Sequence, residues 1–196
     1  MRLVFSTALA VLVAAAAWAQ DSARETAVFA GGCFWCVEEA FDKVPGVLAT
    51  TSGYTGGRVE NPTYQAVSAG DTGHYEAVEV EYDPAKVSYE ELLDVFWKNV
   101  DPFDPIGQFC DKGESYKSAV FVADDEERRL AETTKKSVEE RFNQPVATEI
   151  LPEQAFYPAE DYHQDYYEKN PARYQYYKWG CGRAQRLEEI WGKPAA

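Results

Sequence analysis

Hydrophobic and polar positions along the chain change period several times, and each change predicts an element. Thr26 to Ala30 is a compact apolar run closed by Gly31-Gly32, which reads as a short strand. From Cys33 the spacing switches, with Val37, Ala40, Phe41 and Val44 recurring at three and four residues, as on one helix face. Pro45-Gly46 ends that helix, and Val47 to Tyr54 reads as a second strand. A loop rich in Gly and Asn-Pro is expected from Thr55 to Thr72. His74 to Tyr82 then alternates between apolar and charged residues, so this strand is expected to have one wet face.

After the Asp83-Pro84 turn, Ser88 and Glu91 form a capping box for a helix whose buried stripe is Leu92, Leu93, Val95 and Phe96. An irregular loop is expected from Asp101 to Glu114, a strand from Tyr116 to Val122, and a charged helix from Asp124 to Phe142. The acidic run 124–127 reads as a helix start complementing the dipole. A short strand is expected near Thr148–Leu151. From Pro152 onward the chain reads as a long, irregular, aromatic-rich tail whose rings bury against the sheet. The order strand-helix-strand-strand-helix-strand matches a split βαβ, ferredoxin-like core, so the expectation is one α+β domain forming a two-layer sandwich.

The N-terminus changes that picture. Met1-Arg2 is positive, Leu3 to Trp18 is almost wholly apolar, and Ala17-Trp18-Ala19 is a small-x-small pattern. These features read as a cleaved signal peptide over residues 1–19, followed by a polar leader at 20–26 and a domain over 27–192. Export, most specifically to a periplasm, is the expected destination, without stable membrane insertion after cleavage. The 196 residues carry 19 basic and 33 acidic side chains, a net charge of −14. That balance argues against nucleic acid as a partner and favours solubility. A monomer is expected. A chain of this length buries a core without staples, so its four cysteines, at 33, 36, 110 and 181, are not needed to hold a small scaffold together.

Gly31-Gly32-Cys33-Phe34-Trp35-Cys36 carries the candidate chemistry. The glycines permit a sharp strand-to-helix turn that leaves Cys33 at the first helical turn, where unpaired N–H groups and the dipole favour a thiolate. Three readings compete here: a nucleophilic cysteine, a structural bridge, and a thioredoxin-like disulfide-exchange carrier. A metal site is not expected. There is one Cys-x-x-Cys, the other cysteines are isolated, and the two histidines, 74 and 163, lie far apart.

The sequence resembles the A-type peptide methionine sulfoxide reductases in an ordered set of pieces. They are Gly32-Cys33-Phe34-Trp35, Gly53-Tyr54-Thr55-Gly56-Gly57, Asn61-Pro62-Thr63-Tyr64 and Gly70-Asp71-Thr72-Gly73-His74 running into Glu76-Ala77-Val78. Further on come Tyr82-Asp83-Pro84, Phe96-Trp97, Gln108 with Asp111 and Gly113, Tyr116 with Ser118, Phe156, Ala159-Glu160 and His163-Gln164. The resemblance implies that Cys33 attacks the sulfoxide sulfur and becomes a sulfenic acid, and that Glu76 protonates the oxygen. It further implies that Tyr64 and Tyr116 hydrogen-bond that oxygen, that Asp111 belongs to the same network, and that Phe34 and Trp35 form an apolar wall for the S-methyl group. Free or protein-bound S-sulfoxide is the implied substrate. No cofactor is implied; an external thioredoxin-like dithiol would supply electrons.

The chain departs from the family at Cys36, where many members carry glycine. Two resolving partners for Cys33 therefore stand open: Cys36, which is preferred, and Cys181 in the Trp179-Gly180-Cys181-Gly182 segment. With the first, Cys110–Cys181 forms a second bridge or relay tying the tail over the site.

Overall fold

The computed structural model describes residues 24–193. The expected signal segment 1–19 and the leader up to residue 23 lie outside the described residues.

A single mixed sheet carries the fold. Strand β1 (Glu25–Gly31) leads into helix α1 (Phe34–Asp42) and strand β2 (Val47–Thr55). Helix α2 (Tyr64–Ala69), strand β3 (Tyr75–Tyr82) and helix α3 (Tyr89–Lys98) follow. A small hairpin, β4 (Gly107–Gln108) with β5 (Asp111–Lys112), precedes strand β6 (Ser118–Val122), helix α4 (Asp125–Phe142) and strand β7 (Glu149–Pro152). Strand β8 (Tyr157–Pro158) and helices α5 (Tyr166–Lys169), α6 (Pro171–Gly180) and α7 (Arg183–Trp191) complete the chain. The sheet order is β7-β6-β1-β3-β2-β8. Its centre, β6-β1-β3-β2, is antiparallel throughout, which is the split βαβ arrangement the element order predicts. β7 adds in parallel to β6, and β8 adds antiparallel to β2.

Local chemistry explains most of these elements. The Ser88 hydroxyl accepts from the Glu91 N–H at 3.2 Å while the Glu91 carboxylate accepts from the Ser88 N–H at 2.8 Å, so α3 starts on a complete capping box. Asp124 caps α4 through the Glu127 N–H at 2.9 Å, and Asn143 ends it in the left-handed region. Between sheet and helices, the rings of Phe29, Phe41 and Phe96 stack with centroids 4.8 and 5.4 Å from Phe29. Val78, Val80 and Tyr82 project into the same core.

The structure departs from the sequence reading in three places, the first being the loop expected over 101–114, which holds the β4–β5 hairpin. The loop expected over 55–72 holds α2, capped by Thr63 and closed by Gly70 at φ 90°. Six residues are too few to show a helical period. The tail expected to be irregular holds α5, α6 and α7; Phe156 packs against the sheet as expected, Tyr166, Tyr167 and Tyr174 pack against α1 instead, and Tyr162, Tyr176 and Trp179 stay exposed. The Tyr174 hydroxyl donates to Glu39, the Tyr167 hydroxyl to Asp42 at 3.0 Å, and Tyr166 stacks on Trp35 at 3.8 Å between centroids. Aromatic residues favour strands as a local preference, and tertiary packing overrides it here.

Glu38 on α1 is fully buried, and neither carboxylate oxygen meets a well-formed hydrogen-bond partner among the described residues. Burial, reinforced by the charges of Asp42 and Asp165, pushes its carboxyl up to about 7. A carboxyl held above its ordinary 4.5 binds its proton more tightly in the folded than in the unfolded chain. Folding stability from this group is therefore fully present below about 4.5 and falls as the pH rises towards 7. Glu38→Gln is expected to raise Tm by about 2–4 °C above neutral pH and to leave it unchanged in mild acid. Thermal unfolding at the two pH values checks this, and an equal shift at both would contradict it.

Candidate active site

Gly32 makes the turn that delivers Cys33. Its φ is +80°, and a Cβ added there would sit 2.5 Å from the Gln108 Cβ, so only glycine fits. Gln108 cannot easily yield, because it is fully buried and exchanges two 2.8 Å hydrogen bonds with the Asp101 backbone. The chain then enters α1 with Cys33 at the N-cap and Phe34 as the first helical residue.

Glu76 comes from β3 on the core side. Although glutamate is normally solvent-facing, it is 2% exposed and its Oε2 accepts from the Phe34 N–H at 3.1 Å. Burial pushes its carboxyl up to about 8, with the charge of Asp111 adding to the shift against the Phe34 N–H. At neutral pH it therefore carries a proton beside Cys33. Tyr64, the first residue of α2, is fixed by Glu160, whose carboxylate accepts from the Tyr64 N–H and the Tyr54 hydroxyl, each at 2.9 Å. Burial raises the phenols of Tyr64 and Tyr116, so both keep their protons and can donate. Trp35 is oriented by its indole N–H, which donates to His163 Nδ1 at 3.1 Å, and by the stack on Tyr166.

Cys33, Phe34, Trp35, Tyr64, Glu76, Asp111 and Tyr116 all line one small cavity of about 60 Å³. These seven candidates come from five separate stretches of the chain. Tyr177 of α6 joins them, its hydroxyl donating to Asp111 at 2.5 Å. In the sequence that ring belongs to the aromatic tail expected only to pack. Glu160, read only as part of a motif, proves to be the group that positions Tyr64. Neither role has a local signal, since both depend on contacts across about 66 and 96 residues.

The four cysteines divide into two pairs. Cys33 and Cys36 are free and buried, whereas Cys110 and Cys181 are joined by a disulfide with their Cα atoms 4.9 Å apart. Asp111 lies against both sulfurs, its Oδ1 3.8 Å from Cys110 Sγ and its Oδ2 3.8 Å from Cys181 Sγ, so the bridge borders the cavity. Cys36 does not line the Cys33 cavity. It faces a larger groove of about 700 Å³ whose walls include Glu39, Lys178 and Arg183.

The helix start leads one to expect a lowered Cys33, and the site does the reverse. Burial pushes the Cys33 thiol well up, and its hydrogen bond with Cys36 adds to this. Cys36 is held at about 6 by the hydrogen bond from Cys33 and, against burial, by the charges of Arg183 and Lys178 and the Tyr174 hydroxyl. Of the two thiols, Cys36 is the one whose surroundings favour ionisation, and Cys33 the one whose surroundings oppose it.

A buried cysteine that meets a protonated carboxyl, two phenols and an aromatic wall defines a thiol-based oxidoreductase on a ferredoxin-like core. Residues 25–195 match the family described as peptide methionine sulfoxide reductase. A peptide methionine sulfoxide reductase MsrA of Bacillus licheniformis is 52% identical over 172 residues, covering 87% of this chain and 95% of its own. Mxr1 of Saccharomyces cerevisiae in reduced form superposes with a TM-score of 0.73 at 31% identity, over 78% of this chain and 88% of that one. The same yeast protein in complex with Trx2 matches at the level of the fold, with a TM-score of 0.53 at 22% identity over 75% and 87% of the two chains. The chain belongs to the peptide methionine sulfoxide reductase family.

Proposed function

We propose that this chain reduces methionine S-sulfoxide, free or within proteins, to methionine, with Cys33 as nucleophile. The observation that carries this reading is the convergence of Cys33, Glu76, Tyr64, Tyr116, Phe34 and Trp35 on one small cavity. Phe34 and Trp35 receive the S-methyl group, and the Tyr64 and Tyr116 hydroxyls donate to the sulfoxide oxygen. Cys33 attacks sulfur as Glu76 gives its proton to that oxygen, and Glu76 regains a proton from the Cys33 thiol. The thioether leaves as methionine, and the oxygen remains on Cys33 as a sulfenic acid.

Cys36 then attacks the Cys33 sulfur. Water leaves and a Cys33–Cys36 disulfide forms. The two-residue spacing between Cys33 at the N-cap and Cys36 in the first turn of α1, and the fact that Cys181 is bonded to Cys110, favour Cys36 over Cys181 as the resolving residue. A thioredoxin-like dithiol then reduces the bridge, a reading supported by the yeast relative solved with Trx2. The N-terminal pattern of residues 1–19 supports an exported, periplasmic protein. N-terminal sequencing of protein from whole cells is expected to begin at Gln20, and an intact Met1 would contradict export with cleavage. The protein acts as a monomer.

A racemic dabsyl-methionine sulfoxide sample with dithiothreitol tests the activity. About half the sulfoxide is expected to be consumed, and none consumed while insulin disulfides are reduced would identify a disulfide-exchange carrier instead. Mapping disulfides after one turnover without reductant tests the second step. Cys33 joined to Cys36, with Cys110–Cys181 retained, is expected; Cys33 joined to Cys181 would overturn it.

A further inference from the structure

Arg183 is the first residue of α7 and only 3% exposed, yet among the described residues it makes no salt bridge to a carboxylate. Its Nη2 donates to the Asn99 carbonyl at 2.6 Å and reaches the Gly31 carbonyl at 3.5 Å. Its guanidinium carbon lies 4.4 Å from the centre of the Phe109 ring. Neutral carbonyls and a ring face orient a guanidinium, but they do not neutralise a charge taken out of water; its charge lowers two acids, Asp111, which the Tyr177 hydroxyl already engages, and Cys36. Cys36 shares the groove wall with Arg183 and is the buried acid on that wall without a cation salt-bridged to it; Glu39 is held by Lys43 and Lys178.

The position of Arg183 is itself tied down. Two residues before it, Cys181 is bonded to Cys110, and Phe109, on which Arg183 stacks, precedes Cys110. Gly182, at φ 67°, joins α6 to α7 directly after Cys181, so the bridge fixes both the arginine and its ring.

We propose that Arg183 is the positioning residue that keeps Cys36 ionised and so designates it as the resolving cysteine, and that the Cys110–Cys181 disulfide is a clamp that holds Arg183 in place rather than an electron relay. This rests on the reading that Cys36 resolves Cys33. The guanidinium stabilises the Cys36 thiolate, whose electron pair forms the new S–S bond as the S–O bond of the Cys33 sulfenic acid breaks. The departing oxygen takes a proton from Glu76 and leaves as water. The direction in which Arg183 moves the Cys36 thiol, downwards, agrees with this.

The test reads Cys36 ionisation directly. In a Cys33→Ser background Cys36 is the one cysteine outside the disulfide, and its thiolate absorbance is followed against pH. Arg183→Gln is expected to raise the midpoint by about one unit or more, and Arg183→Lys, which keeps the charge, by much less. With Cys33 present, Arg183→Gln is expected to slow disulfide formation about fivefold at neutral pH and much less in alkali, where Cys36 ionises unaided. A midpoint unmoved by Arg183→Gln overturns the assignment. Replacing Cys110 and Cys181 together by alanine is expected to raise the midpoint as well, and an unmoved midpoint there overturns the clamp. A shifted midpoint alongside a Cys33–Cys181 bridge in the turnover map would instead overturn Cys36 as resolver.

Discussion

Replacing Cys33 by serine is expected to lower sulfoxide reduction by about 10³-fold or more while leaving the fold intact. A serine hydroxyl in the same pocket has no base able to ionise it and forms no sulfenic acid. Cys33 is buried, but its side chain faces a cavity rather than the core, so the exchange leaves no large void. The assay uses dithiothreitol as reductant, which removes any dependence on a protein donor. Methionine formation surviving at even a tenth of the original rate would remove Cys33 from the chemistry.

The second large effect concerns Glu76. Glu76→Gln keeps the shape and the hydrogen bond from the Phe34 N–H but cannot give up a proton, so kcat is expected to fall by about 10²–10⁴. The pH dependence separates this from a structural defect. A carboxyl raised to about 8 holds its proton below that pH and loses it above, so the rate of the parent protein falls as the pH rises through about 8. In Glu76→Gln that alkaline limb is expected to vanish along with most of the rate. A limb that persists unchanged in the variant would assign the ionisation to another group.

Glu76 also shows what the sequence made legible. In the stretch 75–82 the charged residues Glu79 and Glu81 occupy one phase of the alternation, while Glu76 falls in phase with Val78, Val80 and Tyr82. A carboxylate in the apolar phase of a strand is a signal that chemistry is wanted there, although the family resemblance was needed to weigh it. The central strands and the two capped helices were equally plain, because their period and caps lie within a few neighbouring residues. Tyr177, Glu160 and Arg183 were not legible. Each acts through a partner more than 60 residues away, on helices or loops whose aromatic sequence has no clear period. The pairing of cysteines was legible only as alternatives, since spacing permits Cys33–Cys36 but gives no distance between Cys110 and Cys181.

The ionisation of the cysteine pair was the least legible feature. A helix N-terminus favours a thiolate at Cys33, but burial outweighs the dipole there, while the charges of Arg183 and Lys178 pull the Cys36 thiol down. The lowered thiol is thus the one proposed to resolve, and the raised one faces the sulfoxide pocket beside Glu76.

The most direct measurement of the central claim is a single turnover of a Cys36→Ala variant with excess methionine sulfoxide, no reductant and a sulfenic-acid trap. About one equivalent of methionine per chain and an adduct on Cys33 alone are expected. No methionine, or an adduct on any other residue with Cys33 unmodified, would contradict the account.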